Sequence, residues 1–247
     1  MNFPLSYLID EFLDTKYIIW LWDGFLITLY ISVCTVIFST LLGIFLAVAR
    51  ESDFKAQRVM VTCYCMLFRN TPLLVQLFFW YFGSGQILPS SWMQWLNSPH
   101  ELVIFYFTFH WPSFEFLSGL IGLTLYSSAF IAEEFRAGIA GVGLGQKNAA
   151  QALGLTHWQS MKYVIFPQAL KIALPPLLGQ YMYIIKNSSL TMAIGVAELS
   201  YASRQVETET LRTFQAFGVA TFLYILLIAL IEAWNTWHYQ RVPRKWH

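Results

Sequence analysis

Long apolar runs separated by short polar segments dominate the sequence. A helix needs roughly 20 mostly apolar residues to cross the ~30 Å hydrocarbon layer of a membrane. Four runs meet that length, at 23–49, 59–82, 116–137 and 213–236. A fifth run, 172–196, is interrupted by Pro175 and Pro176 but remains long enough. The pattern therefore predicts an all-α, polytopic integral membrane protein with five transmembrane helices in a single membrane domain, residues 1–247.

Between the second and third predicted spans lies an insert, residues 83–115. Its apolar patch at 102–109 is too short to span and is closed by His110 and Pro112. We predict that this patch forms a helix lying at the membrane surface.

Basic residues predict the sidedness of the chain, because cytoplasmic loops carry an excess of Lys and Arg. One set of loops holds ten, namely Arg50, Lys55, Arg58, Arg136, Lys147, Lys162, Lys171, Arg241, Arg244 and Lys245. The opposite set holds three, namely Lys16, Arg204 and Arg212. This asymmetry predicts an N-terminus outside the cell, a cytoplasmic C-terminus and a cytoplasmic loop at 138–171.

Composition agrees with a membrane protein and excludes several other classes. Only 12% of the residues are charged, about half the usual share of a soluble domain. The net charge of +1 gives no reason to expect a nucleic-acid partner. Three cysteines in apolar stretches exclude a disulfide framework and a zinc site, and the acidic N-terminal region lacks the basic segment of a cleaved signal peptide.

The loop 138–171 is polar but patterned. A helix is predicted from Gln146 to Leu153, with Gly154 as the residue that ends it. A second helix opens with Thr156-His-Trp-Gln159, the spacing of a capping box. Trp158, Met161 and Ile165 then form an apolar stripe, and Pro167 is predicted to end the local pattern. The loop either folds back on its own membrane domain or docks on another protein.

The segment "NAAQALGLTHWQSMKYVIFPQA" resembles the coupling loop of ABC-importer permeases. Asn148 stands where Glu is usual and "IFP" replaces "ILP", whereas Ala149, Ala150, Gly154 and Pro167 match the pattern. Three further stretches are similar to the polar amino-acid branch of that family: "FRNTPLLVQLFFWYF" at 68–82, "YSSAFIAEEFRAGI" at 126–139 and "IKNSSLTMAIGVAELS" at 185–200. The matches follow the expected order over most of residues 20–237.

The resemblance implies a type I ABC importer fold in the bacterial inner membrane. It implies three kinds of protein partner: a cytoplasmic ABC ATPase dimer, an extracytoplasmic amino-acid-binding protein, and a second permease subunit, homologous or identical. ATP and Mg²⁺ would be bound by the ATPase, so this chain carries no cofactor and is not an enzyme. The residues expected to couple to the ATPase are Asn148, Ala149, Ala150, Gly154, Trp158 and Pro167.

The stretch "GVGLGQKN" at 141–148 superficially resembles a phosphate-binding loop. A Walker A motif needs Gly directly before the Lys and Ser or Thr directly after it. Here Gln146 and Asn148 occupy those places, and a predicted membrane helix precedes the stretch instead of a strand. ATP binding by this chain is therefore not expected.

Ionisable residues at membrane depth are candidates for function, because an unpaired charge there is costly. Arg69 and Lys186 are predicted near the midplane, and Glu133 and Glu134 nearer the cytoplasmic side. The cations either pair with Glu133, Glu134 or Glu198, or they line a cavity and meet substrate carboxylates. The candidate substrate-binding residues are Arg69, Thr71, Gln76, Glu133, Gln180, Lys186, Asn187, Ser188 and Ser189.

The resemblance also bears on the substrate. Permeases for basic amino acids often carry acids at the places of Gln180 and Asn187, so the neutral amides here weigh against arginine, lysine and histidine. We expect glutamate or aspartate, with glutamine or another polar amino acid as the alternative. A channel that needs no ATPase, or a structural membrane subunit, is the alternative from another class; it leaves the patterned cytoplasmic loop without a purpose.

Overall fold

A computed structural model describes residues 13–52, 54–98, 101–104, 107–110 and 112–241, with side chains for 13–52, 54–98 and 112–237. The tail residues Arg244 and Lys245, used above for sidedness, lie outside the described residues. The chain divides into two compact units. Residues 33–184 form the central unit, and the described residues 13–32 and 185–241 form the terminal unit.

Helices account for nearly all of the described chain. In chain order they are α1 (Thr15–Arg50), α2 (Lys55–Arg69), α3 (Leu73–Phe78), a π-helical segment (Phe79–Gly83), α4 (Ser84–Ile87), α5 (Ser90–Asn97), α6 (Phe114–Gly141), α7 (Leu144–Ala152), α8 (His157–Ser160), a second π-helical segment (Met161–Ile165), α9 (Phe166–Ser188), a 3₁₀ segment (Ser189–Ile194), α10 (Leu199–Thr210) and α11 (Thr213–Arg241).

The predicted surface helix at 102–109 is wrong. Strands β1 (Glu101–Ile104) and β2 (Phe107–His110) pair antiparallel there, with Glu101 opposite His110 and Ile104 opposite Phe107. Branched and aromatic residues dominate this patch, and such residues favour strands. A short apolar run does not by itself distinguish helix from strand. The described chain is therefore all-α apart from this hairpin.

Three of the described helices are long and apolar enough to cross a membrane: Thr15–Arg50, Phe114–Gly141 and Thr213–Trp237. The second predicted span, 59–82, is interrupted twice. It leaves the helix after Arg69, and it passes through the π-helical segment Phe79–Gly83 before it ends. The fourth, 172–196, changes from α to 3₁₀ after Ser188. The count of five spans accordingly stays a prediction.

The chain stays helical through Pro167, contrary to the prediction that this proline ends the pattern. The π-helical segment Met161–Ile165 comes just before it, and Pro167 is the second residue of α9. The π-helical segment shifts the hydrogen-bonding pattern just before Pro167, so the helix continues although proline has no N–H to donate. Pro175 and Pro176 lie in the interior of α9, where each removes one helical hydrogen bond.

The core of the central unit joins α6 to α9. Ile131, Phe135, Ile139, Ala169 and Ala173 are all buried and belong to one cluster. The two helices approach closely at Gly138, where an added Cβ would lie 2.6 Å from the carbonyl oxygen of Ala169. Glycine is therefore required for this approach.

The core of the terminal unit joins the start of α1 to α10 and α11. Leu21, Leu199, Val206 and Ala216 are at most 1% exposed. By contrast, Phe222, Ile225 and Leu230 of α11 lie 60–63% exposed. Exposed large apolar side chains in such number along one helix are suited to contact with lipid or with another apolar surface.

Candidate functional site

The first candidate residues lie where the helical path breaks between α2 and α3. Helix α2 ends at Arg69 with Asn70 as its C-cap, and Pro72 precedes α3. The side-chain amide of Gln76 donates to the carbonyl oxygen of Phe68 at 2.9 Å and to the hydroxyl of Thr71 at 2.6 Å. Gln76 thus satisfies backbone and side-chain acceptors that the break exposes. Its own buried oxygen accepts no hydrogen bond from the described residues.

Three arginines surround one carboxylate in the central unit. Glu133 Oε1 lies 2.5 Å from Arg50 Nη1 and 3.4 Å from Arg69 Nη1, and Oε2 lies 2.6 Å from Arg136 Nε. The side chain of Glu133 is only 18% exposed, whereas those of Arg69 and Arg136 are about 40% exposed. The guanidinium of Arg69 also lies 5.5 Å from the centre of the Phe130 ring.

This arrangement bears on the two alternatives for Arg69. The pairing of Arg69 with Glu133, which the sequence left open, is present. Because Arg50 is the last residue of α1, the shared carboxylate lies within reach of the end of that helix. Three guanidiniums share one carboxylate, so the cluster keeps two positive charges that Glu133 does not neutralise. Such a surplus can attract an anion as well as hold helices together.

A second pair in the central unit joins two further polar residues. The amide of Gln180 donates to Glu134 Oε1 at 3.0 Å. Both residues are half-buried. Glu134 therefore stays close to Gln180 on α9, while its neighbour Glu133 binds the arginines.

In the terminal unit, the predicted residues 186–189 occupy the end of α9 and the start of the 3₁₀ segment. The hydroxyl of Ser188 is fully buried and donates to the carbonyl oxygen of Ile185 at 2.7 Å, and that of Ser189 donates to the carbonyl of Lys186 at 2.6 Å. The serines therefore complete the local backbone. Lys186 is exposed and Asn187 half-exposed.

Sequence reasoning did not assign a site to Glu198, which the structure places at the centre of a buried network. Its carboxylate is fully buried, accepts from the backbone N–H of Tyr201 at 2.9 Å, and receives the hydroxyl of Tyr224 at 2.8 Å. The hydroxyl of Thr28 lies 3.4 Å away and itself accepts from the N–H of Leu199 at 3.1 Å. An acid just before a helix is a possible N-cap, and that was the available signal.

The predicted helix-turn-helix in the loop 138–171 is present. Helix α7 ends in a Schellman motif, in which the N–H of Gly154 bonds to the carbonyl of Gln151 and that of Leu155 to the carbonyl of Ala150. Gly154 has φ +75°, the left-handed conformation that glycine adopts without strain. Thr156 and Gln159 form a capping box, with bonds of 3.3 and 2.9 Å.

The side chains of this loop divide between packing and exposure. Met161 and Ile165 are buried, as the apolar stripe predicted, but Trp158 is 67% exposed and does not share their contact. Among the expected coupling residues, Ala150 is 1% exposed, whereas Asn148, Ala149 and Pro167 lie on the surface. The loop is thus anchored by one side and presents the other to solvent.

Within the described residues, no group of three or more His, Cys, Asp and Glu side chains is placed to hold a metal. Cys34, Cys63 and Cys65 are free thiols. The chemistry of the described sites is therefore one of charge pairing and hydrogen bonding.

Comparison with known proteins adds an independent line of evidence. Residues 39–244 match the family described as "binding-protein-dependent transport system inner membrane component". The chain is 32% identical to the glutamate/aspartate import permease protein GltJ of Escherichia coli K12, over 88% of this chain and 85% of the relative. It is 37% identical to the probable glutamine ABC transporter permease protein GlnM of Bacillus subtilis, over 83% of this chain and 85% of the relative.

A solved structure agrees with these relatives. The crystal structure of an amino acid ABC transporter with histidines shares 29% identity and a TM-score of 0.75 and covers 98% of this chain and 100% of that one. The MetNI methionine ABC transporter, at 17% identity and a TM-score of 0.66, shares the fold. The chain belongs to the family of binding-protein-dependent transport system inner membrane components and is a permease subunit of an amino-acid ABC importer.

Proposed function

We propose that this permease imports an acidic amino acid, glutamate or aspartate, at the expense of ATP hydrolysed by a partner subunit. An extracytoplasmic binding protein delivers the substrate, and a second permease subunit, homologous or identical, completes the pathway. ATP and Mg²⁺ bind to the ATPase dimer and not to this chain. The chain lies in the inner membrane of a bacterium, with its N-terminus outside and its C-terminus in the cytoplasm.

The exposed helix-turn-helix at 138–171 carries the proposal of ATPase coupling. Its two helices are joined by a Schellman motif and a capping box, so the turn between them is well defined. A rigid, exposed element of this kind is suited to lie in the groove of another protein. The coupling residues are Asn148, Ala149, Ala150, Gly154, Trp158 and Pro167. A channel or purely structural subunit would have no use for this element.

The substrate proposal rests on the positive charges of the central unit and, separately, on those of the terminal unit. In the central unit, Arg50, Arg69 and Arg136 outnumber the single carboxylate that they share. In the terminal unit, Lys186 is exposed beside the neutral amide of Asn187. Cations attract the carboxylates of the substrate, and neutral amides offer no charge that would select a basic side chain. The substrate-binding residues proposed are Arg69, Thr71, Gln76, Glu133, Gln180, Lys186, Asn187, Ser188 and Ser189.

Glutamine is the second candidate substrate. The relative named as a probable glutamine permease is 37% identical, against 32% for the relative named for glutamate and aspartate. Glutamine has the size of glutamate but one carboxylate fewer. The two substrates are therefore distinguished by how strongly transport depends on the cations.

The decisive measurement is uptake of labelled glutamate, aspartate, glutamine and arginine by the reconstituted complex, with wild type and two variants. Lys186→Met is expected to lower glutamate uptake about ten-fold or more, because a charge-assisted hydrogen bond is worth roughly 1.5–3 kcal/mol. Arg69→Gln should do likewise if this residue contacts substrate. The ATPase should remain bound in both. Preference of the wild type for arginine would refute the proposed substrate.

The proposed topology has its own test. Single cysteines at positions 147 and 207, in a background without Cys34, Cys63 and Cys65, should react from opposite sides of the membrane. An impermeant thiol reagent added to intact cells should label position 207 only. Labelling of both positions would contradict five spans with the N-terminus outside.

A further inference from the structure

The exposed helix-turn-helix of the loop 138–171, called the coupling element from here on, contacts another segment of the central unit. The segment that links α1 to α2 lies against it, and the two enclose a cleft of about 70 Å³. One wall comes from the end of α1 and from the segment 50–58, which we call the first cytoplasmic segment. The other comes from the start of α8 and the π-helical segment after it. The lining residues are Val48, Ser52, Phe54, His157, Trp158 and Met161.

The two aromatic residues of the cleft are largely exposed. Phe54 is 76% exposed and Trp158 is 67% exposed, while Met161 at 4% forms part of the anchored core. Exposing two large apolar side chains to water on both sides of a cleft costs free energy that burial under a partner would recover. Large aromatic side chains in desolvated pockets are also frequent among the residues that dominate binding at protein interfaces.

The two walls of the cleft differ in charge. The segment 138–171 contains no Asp or Glu, and Asn148 replaces the acid that the coupling-loop pattern usually has. Lys162 is exposed on this wall. The other wall has charges of both signs, with acids at positions 51 and 53 and bases at 55 and 58. A surface that is apolar at its centre and cationic towards α8 fits a partner with an apolar side chain that has acidic residues on that one side.

We propose that the first cytoplasmic segment, through Phe54, forms part of the docking surface for the ATPase, and that an apolar side chain of the ATPase fills the cleft between Phe54 and Trp158. This inference rests on the proposed coupling function, because Trp158 belongs to the coupling element. It adds a second contact segment, 50–58, which lies about 100 positions earlier in the chain. It also requires that the ATPase carry acidic residues where it faces the wall formed by the segment 138–171.

A membrane surface is the rival occupant, because aromatic residues and cations also collect at lipid headgroups. Two features favour the ATPase. A lipid surface needs no concavity, whereas the cleft accepts one protruding side chain. The cleft also has polar groups, Ser52 and His157, in its lining, and these suit a partner with its own hydrogen-bonding groups.

The test compares matched variants of the complete complex in detergent, with ATPase affinity measured by titration of the purified subunit. Phe54→Ala should weaken binding about five-fold or more, as expected when an anchor side chain is removed. Phe214→Ala is the matched control, because Phe214 is 88% exposed but lies in the terminal unit on the predicted opposite side. Gly154→Asp, which breaks the coupling element itself, should release the ATPase.

The outcomes separate this inference from the function on which it rests. If Gly154→Asp releases the ATPase but Phe54→Ala binds it as the wild type does, the coupling function stands and the second segment is refuted. If Gly154→Asp also binds normally, the coupling function itself fails. Equal melting temperatures of wild type and Phe54→Ala without the ATPase show that the variant is folded.

A photoreactive phenylalanine analogue at position 54 gives an independent readout that needs no loss of binding. Cross-linking to the ATPase supports the inference, and cross-linking to lipid alone overturns it. Salt provides a third check, because screening shortens the reach of exposed charges to about 8 Å at physiological ionic strength. Affinity for the ATPase should fall as salt rises, and less steeply in Lys162→Gln; no salt dependence would contradict a role for the cationic wall.

Discussion

The hydroxyl of Tyr224 donates a hydrogen bond to the carboxylate of Glu198 across 2.8 Å, at a position where the carboxylate has no exposure to solvent. Tyr224 belongs to α11, and Glu198 caps α10 through the N–H of Tyr201. Thr28 of α1 reaches the same carboxylate. One buried acid therefore joins three helices of the terminal unit.

Removal of the tyrosine hydroxyl should destabilise this unit. In Tyr224→Phe the buried carboxylate loses one donor while the ring still fills its place. We expect a loss of about 1–3 kcal/mol, because a buried acceptor left unsatisfied costs that much. Thermal unfolding in detergent measures it. Tyr163→Phe, at a position that is 64% exposed, is the control, and an equal effect there would contradict the network.

The pH dependence of stability follows from the same acid, which lies between the fourth and fifth predicted spans. Burial raises the pKa of the Glu198 carboxyl above its usual value. The folded chain thus holds this proton more tightly than the unfolded chain, and the resulting stability is complete below the unfolded pKa and lost as pH rises through the folded pKa. Relative to Glu198→Gln, the wild type should lose melting temperature between acidic and neutral pH. A constant difference between the two proteins would refute this.

The contact at Gly138 should not accept a side chain. A Cβ there would lie 2.6 Å from the carbonyl oxygen of Ala169 and 3.0 Å from the Cβ of Ala173. Overpacking of this kind costs about 1–3 kcal/mol. Gly138→Ala should therefore lower the melting temperature, whereas Gly145→Ala, with nothing within 4 Å of the added atom, should leave it unchanged.

The turn at Gly154 should be sensitive to backbone strain alone. Nothing lies within 4 Å of an added Cβ, but φ is +75°. Gly154→Ala therefore adds about 1 kcal/mol of left-handed strain without a clash. We expect weaker binding of the ATPase by the variant and unchanged membrane helices, measured by co-purification and circular dichroism. Gly143→Ala, in open space with φ −55°, is the control.

The effects of substitutions at Glu133 and Arg50 in the arginine cluster should not be additive. Glu133→Gln leaves Arg50, Arg69 and Arg136 without their shared carboxylate and should destabilise the central unit. In the background of Arg50→Gln the same change should cost less, by about 1–3 kcal/mol of coupling, because one repelling charge is absent. Melting temperatures of the four proteins give the coupling, and additive effects would show that Glu133 and Arg50 act independently.

Local rules predicted the helix-turn-helix within the loop 138–171 well. A glycine followed by Thr-x-x-Gln specifies a turn and a cap within ten residues, so both could be placed from the sequence. The partners of Arg69 could not be chosen, because pairing with Glu133 depends on how α2 and α6 pack. The network of Glu198 was missed for the same reason, since Thr28 and Tyr224 lie 170 and 26 positions away.

Two predictions were wrong because the local sequence pattern was compatible with more than one structure. The apolar patch at 102–109 has no periodicity long enough to distinguish a surface helix from strands, and it forms a hairpin. Pro167 was expected to stop the helical pattern, but the π-helical segment before it allows the helix to continue. The site residues of the substrate pathway stay predictions, because their roles depend on a bound substrate.

The paired prolines of α9 have a mechanical consequence. Pro175 and Pro176 have no N–H to donate to the carbonyls of Lys171 and Ile172, so two consecutive backbone hydrogen bonds of the helix are absent. From Trp158 to Gln180 the helical backbone is about 33 Å long at 1.5 Å per residue. The missing hydrogen bonds make the helix easier to bend at Pro175 and Pro176, partway between Trp158 and Gln180. The two ends of this stretch can therefore turn by different amounts, so a small displacement of the helix-turn-helix is not transmitted in full to Gln180.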